Sequence, residues 1–242
     1  MRMSCSEDLG GGVFPETRDN GKERSAIWNR NFFQLPVCVG DVTLRVARGH
    51  FATRHSHINY LIDVTAQKSS LREAEAVAQQ LAERHLANTM VDTILCLDST
   101  RVIGTCLARQ LTQSAYRSIN EGRDVYILRA ETDSEGKILI RDNARHMIQD
   151  KNVLILVASM TTGTTARRGM ECVRYYGGRP AGVVAIYSHR TEMEGVPVAS
   201  LFDCTDLPDY ASYPPDQCPF CRQGKPLDAV VNSFGYSTVS EE

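Results

Sequence analysis

The sequence predicts an α/β fold with a mostly parallel, twisted sheet and helices on both faces. Three observations lead there. Short apolar runs alternate with segments of helical periodicity through the middle of the chain. One run, Val153 to Ala158, is nearly unbroken, β-branched and far too short to cross a bilayer, as a strand buried on both faces requires. It leads directly into Thr161-Thr162-Gly163-Thr164-Thr165 and a helical pattern from Ala166 to Tyr176, closed by Gly177-Gly178.

The elements follow in order. Residues 1–36 are polar and glycine-containing, with Trp28 near their end, and form an N-terminal segment. Val37 to Val46 alternates as a strand, and His50 to Asp63 reads as loop plus strand. Ser70 and Glu73 have capping-box spacing. Leu71, Ala74, Val77, Ala78 and Leu81 then recur at helical spacing, giving a helix from Leu71 to Leu86. Thr93 to Leu97 is a strand, Val102 to Leu111 a helix and Val125 to Leu128 a strand. Lys137 to Arg141 is a further strand, in a hairpin across the polar loop Glu131 to Gly136, and Asn143 to Gln149 is a short helix. Beyond the threonine–glycine turn and its helix, Ala181 to Tyr187 and Val198 to Phe202 are strands. From 204 to 242 the prolines at 208, 214, 215, 219 and 226 break any long element, so an irregular C-terminal cap is expected around an α/β domain of 37–203.

Composition narrows the function classes. The chain has 242 residues and a formal charge of −2, without a long basic run, so a nucleic-acid surface is not expected. The start, MRMSCSEDLGGG, lacks the apolar core of a secretory signal, and no segment has the length of a membrane span. Eight cysteines in such a chain suit a reducing, cytoplasmic setting. Cys96, Cys106 and Cys172 sit in apolar patterns and are expected in the core.

A strand feeding a hydroxyl-rich, glycine-containing turn and a helix N-terminus is suited to hold a phosphate. Unpaired backbone N–H groups and the helix dipole face the anion, and threonine hydroxyls add donors. The candidate cradle is Thr161, Thr162, Gly163, Thr164 and Thr165. Parallel sheets bind ligands at the carboxyl ends of their strands, which adds Asp98, Ser99, Thr100, Arg101 and Arg129 as candidate contacts. No G-x-G-x-x-G follows a strand, and no lysine follows the glycine as in a Walker loop.

Strand, threonine–threonine–glycine–threonine and helix together resemble the phosphoribosyl-pyrophosphate loop of type I phosphoribosyltransferases. GHF at Gly49 to Phe51, with His57 and Tyr60 beyond it, is similar to the N-terminal base-binding stretch of bacterial orotate phosphoribosyltransferases. CPFCRQGKPL, Cys218 to Leu227, resembles the tail of some of them. The resemblance covers roughly Gly49 to Leu227. It implies a Rossmann-like phosphoribosyltransferase core, phosphoribosyl pyrophosphate or a nucleotide as ligand, Mg²⁺ as cofactor and a homodimer.

Three departures accompany it. Two adjacent acids normally precede the loop in that family and engage the ribose hydroxyls, whereas this chain has Val157 and Ala158. A missing hydrogen-bond partner there costs about 1–3 kcal/mol. The catalytic loop, RKEAKDHG-like in the orotate enzymes, reads RAETDSEG here, Arg129 to Gly136. Ala130, Asp133 and Glu135 stand at the lysine and histidine positions. Each absent cation aimed at the departing pyrophosphate is worth roughly 10²–10³ in rate. After Leu97 the usual glycine-containing loop is Asp98-Ser99-Thr100-Arg101.

Two functions therefore compete: a transferase acting on orotate or another base, and a catalytically silent relative that binds a phosphosugar or nucleotide. The chemistry favours the binder. Separately, Cys218 and Cys221 form a C-x₂-C half-site, and Cys204 offers a third ligand for a structural zinc. A fourth would be a histidine such as His189 or a distant cysteine, and reduced thiols are the alternative. His55 and His57 are expected to be ordinary hydrogen-bonded histidines or substrate contacts.

Overall fold

The computed structural model describes residues 32–36, 42–113, 118–133 and 136–239. The apolar runs assemble one sheet whose strands are β4 (Thr93–Cys96), β5 (Tyr126–Arg129), β8 (Asn152–Met160), β9 (Arg179–Ser188), β10 (Glu192–Met193) and β11 (Val196–Asp203). Their order is β10-β11-β9-β8-β4-β5, parallel throughout except for the β10 edge.

Period-2 alternation along β8 divides the core. Leu154, Leu156 and Ala158 face one layer with α2 (Leu71–Leu81) and α3 (Arg101–Thr112). Val153, Ile155 and Val157 face the other with α4 (Thr164–Tyr175). Helices thus cover both faces of a mostly parallel sheet, as the sequence predicts, and Cys96, Cys106 and Cys172 are buried as expected. Gly169 lets α4 approach closely: a Cβ there would lie 3.0 Å from Leu97 Cδ1 and 3.3 Å from Ile155 Cγ2.

A second sheet lies beside the first. It contains β1 (Phe32–Pro36), β2 (Thr43–Ala52), β3 (His57–Asp63), β12 (Ser212–Tyr213), β13 (Ala229–Asn232) and β14 (Gly235–Thr238). Its order is β12-β3-β2-β13-β14, with β1 antiparallel to β2. The proline-rich tail is mostly turns and short helices, yet β12, β13 and β14 join this sheet, with β13 running parallel to β2.

Several boundaries differ from those expected. Residues 37–41 of the first expected strand lie outside the described residues, and β2 instead runs on through Gly49, His50 and Phe51. The β2–β3 register shifts between Arg48 and Phe51, so a bulge falls on Gly49 and His50. The bulge allows the consecutive residues His50 and Phe51 both to be buried. Ser70 precedes α2 but makes no side-chain cap, so the capping box is not formed. The helix ends as a π turn, Ala82–Leu86. A short α1 (Thr65–Ser69) had no periodic signal. The segment around Ile138 pairs not with β5 but with β6 (Glu131–Thr132), as the two-stranded hairpin β6–β7 (Ile138–Leu139).

Candidate functional site

The carboxyl ends of β4, β5 and β8 open into a cleft of about 1510 Å³. Its floor is the start of α4 and the β4–α3 turn. Val230 to Tyr236, from the β13–β14 hairpin, close one side, and Lys68 of α1 another.

At the floor, Gly163 holds φ +82° as the N-cap of α4. This left-handed conformation is open to glycine at little cost. A Cβ would also meet Met193 Cε at 1.9 Å. No side chain caps the helix, and the bond from the Arg167 N–H to the Gly163 carbonyl opens its backbone ladder. The N–H groups of Thr164, Thr165 and Ala166 precede that bond and have no acceptor within the helix. Thr162 and Thr164 are exposed with hydroxyls 3.1 Å apart. Thr161 hydrogen-bonds the Tyr210 phenol, whose burial outweighs that bond and pushes its pKa up to about 12. All five residues of the expected cradle line the cleft.

The β4–α3 turn divides its four candidates. Asp98 and Ser99 have φ of 50° and 63°, conformations that L residues seldom adopt and that concentrate at ligand sites. Ser99 and Arg101 are exposed at the cleft. Thr100 is buried, and its hydroxyl is directed to the carbonyls of Leu97 (2.6 Å) and Leu156 (3.2 Å), so it positions α3 rather than facing a ligand. Burial pushes the Asp98 carboxyl up, opposed by Lys68 and by the Ala158 N–H that it accepts. Burial likewise lowers the Lys68 ammonium, opposed by Asp98 and Asp63. Lys68 Nζ donates to the Ser233 carbonyl at 2.7 Å, tying α1 to the β13–β14 turn.

Val157 and Ala158, at the positions of the two acids, are 1% and 4% exposed. Two acids of the RAETDSEG stretch, Glu131 and Asp133, are engaged in local structure. Arg141 makes two hydrogen bonds to Glu131, at 2.6 and 3.0 Å, and holds that carboxyl below its ordinary range. Asp133 accepts the Lys137 N–H at 2.8 Å and closes the β6–β7 turn. Glu135 lies outside the described residues. Arg129 is exposed at the end of β5. Arg168 reaches from α4 to the same place: a Cβ on Gly136 would lie 2.2 Å from its Nη1. The cleft's cations therefore come from helices and strand ends. Lys68, Arg168 and Tyr210 carried no local motif, because distant segments bring them there.

The tail cysteines part company. Cys218 and Cys221 meet His50 and His57, with all four ligand atoms within 4.8 Å of one another. Neither Cys204 nor His189 belongs to that group. The C-x₂-C was legible in sequence. The histidine half was not, since His50 and His57 are seven apart and converge only across a bulged hairpin. A histidine inside the strand pattern of GHF was the available signal.

No family model matches the chain. The orotate phosphoribosyltransferase of Stenotrophomonas maltophilia is 28% identical over 156 residues, covering 57% of this chain and 65% of that protein. That of Thermus thermophilus is 34% identical over 103 residues, covering 42% and 54%. The matches thus span between 54% and 65% of these relatives' own lengths. Among solved structures, a crystal structure of Mycobacterium tuberculosis H37Rv orotate phosphoribosyltransferase has 18% identity and a TM-score of 0.47, covering 68% of this chain and 92% of that one. Over part of its length the chain is therefore similar in sequence to orotate phosphoribosyltransferases.

Proposed function

We propose that the cleft binds the 5′-phosphate of phosphoribosyl pyrophosphate or of a nucleotide at Thr161 to Thr165, and that phosphoribosyl transfer is strongly impaired. The uncapped N-terminus of α4, entered through a left-handed Gly163, carries the binding half of this reading. Ser99, Arg101, Arg129 and Arg168 extend the polar and cationic lining beyond it, in reach of a ligand's further phosphates or sugar.

The impaired half rests on what replaces the catalytic groups. Val157 and Ala158 give the ribose hydroxyls no acceptor. The β6–β7 hairpin holds Asp133 at a lysine position, its carboxylate accepting the Lys137 N–H. A protein-held Mg²⁺ needs carboxylate oxygens beside the substrate phosphates. Asp98, the carboxylate of the β4–α3 turn, already accepts the Ala158 N–H and faces the Lys68 ammonium, so the donor set does not fit. An active transferase acting on orotate or another base is the second reading, favoured by the two arginines, Arg129 and Arg168, at the hairpin.

Purified protein supplied with phosphoribosyl pyrophosphate, Mg²⁺ and orotate should release pyrophosphate at least about 10³-fold more slowly than an ordinary orotate enzyme assayed alongside, since more than one stabiliser is lost. Calorimetry should still detect ribose 5-phosphate or a pyrimidine nucleotide. Comparable turnover would establish the second reading instead. Asp98→Asn should tighten inorganic pyrophosphate binding about threefold, roughly 0.7 kcal/mol, by removing a like charge while keeping an acceptor for Ala158. Unchanged or weaker binding would take Asp98 out of the anion's field. The homodimer implied by resemblance is read by sedimentation of the full chain. Among the described residues no helix is long and apolar enough to cross a membrane.

A further inference from the structure

We propose that His50, His57, Cys218 and Cys221 form a closed, structural Zn²⁺ site that clamps the C-terminal segment onto the second sheet. A tetrahedral zinc with Zn–N of about 2.0 Å and Zn–S of about 2.3 Å sets its ligands about 3.3 Å apart for two nitrogens and about 3.5 Å for nitrogen and sulfur. Here His50 Nε2 and His57 Nδ1 are 3.0 Å apart. Cys218 Sγ and Cys221 Sγ lie 3.4 and 3.6 Å from His50 Nε2, and Cys221 Sγ lies 3.2 Å from His57 Nδ1. Four of the six edges are thus close to those of one coordination tetrahedron, and all four atoms lie within 4.8 Å of one another.

The protons support the same assignment. His50 Nδ1 lies 2.9 Å from the Lys225 carbonyl and 3.2 Å from that of Pro226. Carbonyls only accept, so Nδ1 carries the hydrogen and Nε2 presents its lone pair to the other three groups. A backbone carbonyl fixing the tautomer and ring orientation is the usual arrangement behind a metal-bound histidine. Without a cation, one lone pair would face three groups that cannot all donate to it at good geometry. The alternative is a plain hydrogen bond from His57 to His50 with two idle thiols nearby. That alternative leaves unexplained why Cys218, fully buried at 0% exposure, and His50, at 1%, converge there.

The site joins parts of the chain more than 160 residues apart, and it does so next to the cleft. His50 sits on the β2 bulge, where its N–H donates to Asp228 at 2.7 Å. Gly49 permits this approach, since a Cβ there would lie 2.6 Å from the same carboxylate. Immediately after Asp228, β13 pairs with Phe51 and Ala52, and the β13–β14 hairpin walls the cleft. All four ligand positions are protein groups, so the metal has no open coordination and acts by holding the tail in place.

Three measurements on the full chain test this. Protein purified without chelator should contain about one zinc per chain, and Co²⁺ exchanged for it should show tetrahedral ligand-field bands with thiolate charge transfer. Cys221→Ser, at an exposed position, should lower metal affinity at least about tenfold, while Cys204→Ser should leave it unchanged. Chelation should speed proteolysis within residues 204–239. A metal content below about one tenth per chain after incubation with zinc, a six-coordinate cobalt spectrum, or equal metal loss in the Cys204 and Cys221 variants would each overturn the proposal. So would a Cys218–Cys221 disulfide in protein prepared without oxygen. None of these readouts depends on what the cleft binds.

Discussion

Gly163→Val should weaken ribose 5-phosphate binding by about 100-fold or more. The backbone at φ +82° is unfavourable for any L residue and most of all for a β-branched one. Relaxing it turns the Thr164 and Thr165 N–H groups away from a common point. Hydrogen bonds to a charged group contribute about 1.5–3 kcal/mol each, so losing two amounts to roughly two orders of magnitude or more. The new side chain must also displace the Met193 methyl, which can move because it ends a flexible chain. Thr164→Glu separates the site from the fold, since it leaves the φ angle alone and adds an anion at the helix N-terminus. It should weaken binding by a comparable factor with unchanged thermal stability. If calorimetry finds both variants binding as tightly as the parent, the phosphate is held elsewhere.

Val157→Glu, a partial return to the acidic pair, should destabilise the fold by about 3–5 kcal/mol rather than restore activity. That is the usual cost of an uncompensated charge placed in a core. The position is 1% exposed and packs in the layer beneath α4. For a chain of this size the melting temperature should fall by roughly 10 °C. Thermal unfolding at neutral pH measures it. A variant as stable as the parent, with a gain in pyrophosphate release, would mean that the cleft still accommodates an acid there, and the proposal of an impaired catalyst would be withdrawn.

The β8–α4 junction was readable in advance because its signals are local. Val153 to Ala158 need burial on both faces, Gly163 needs its backbone freedom, and Gly177-Gly178 stops the helix within two residues of its observed end. Val157 and Ala158, at the positions where the resemblance implies two acids, were equally visible. Less legible was how each neighbouring group is engaged. Thr100 and Arg101 are adjacent polar residues in sequence, yet the hydroxyl of one lies under α3 while the other faces the cleft. Asp133 reads as a repulsive acid at a lysine position, and it accepts the Lys137 N–H within the β6–β7 hairpin.

By itself the sequence determined the alternating α/β order, the strand–TTGTT–helix junction at Thr161 to Thr165 and the lack of two acids before it. All of these reside in contiguous residues whose spacing carries the physics. The tertiary structure alone decided what surrounds the cradle and the tail. Lys68, Arg168 and the β13–β14 hairpin converge on the cleft from three regions of the chain, and His50 and His57 meet Cys218 and Cys221 across more than 160 residues. Such contacts depend on sheet pairing and on a single bulge at Gly49 and His50. Local sequence has no periodicity that encodes either.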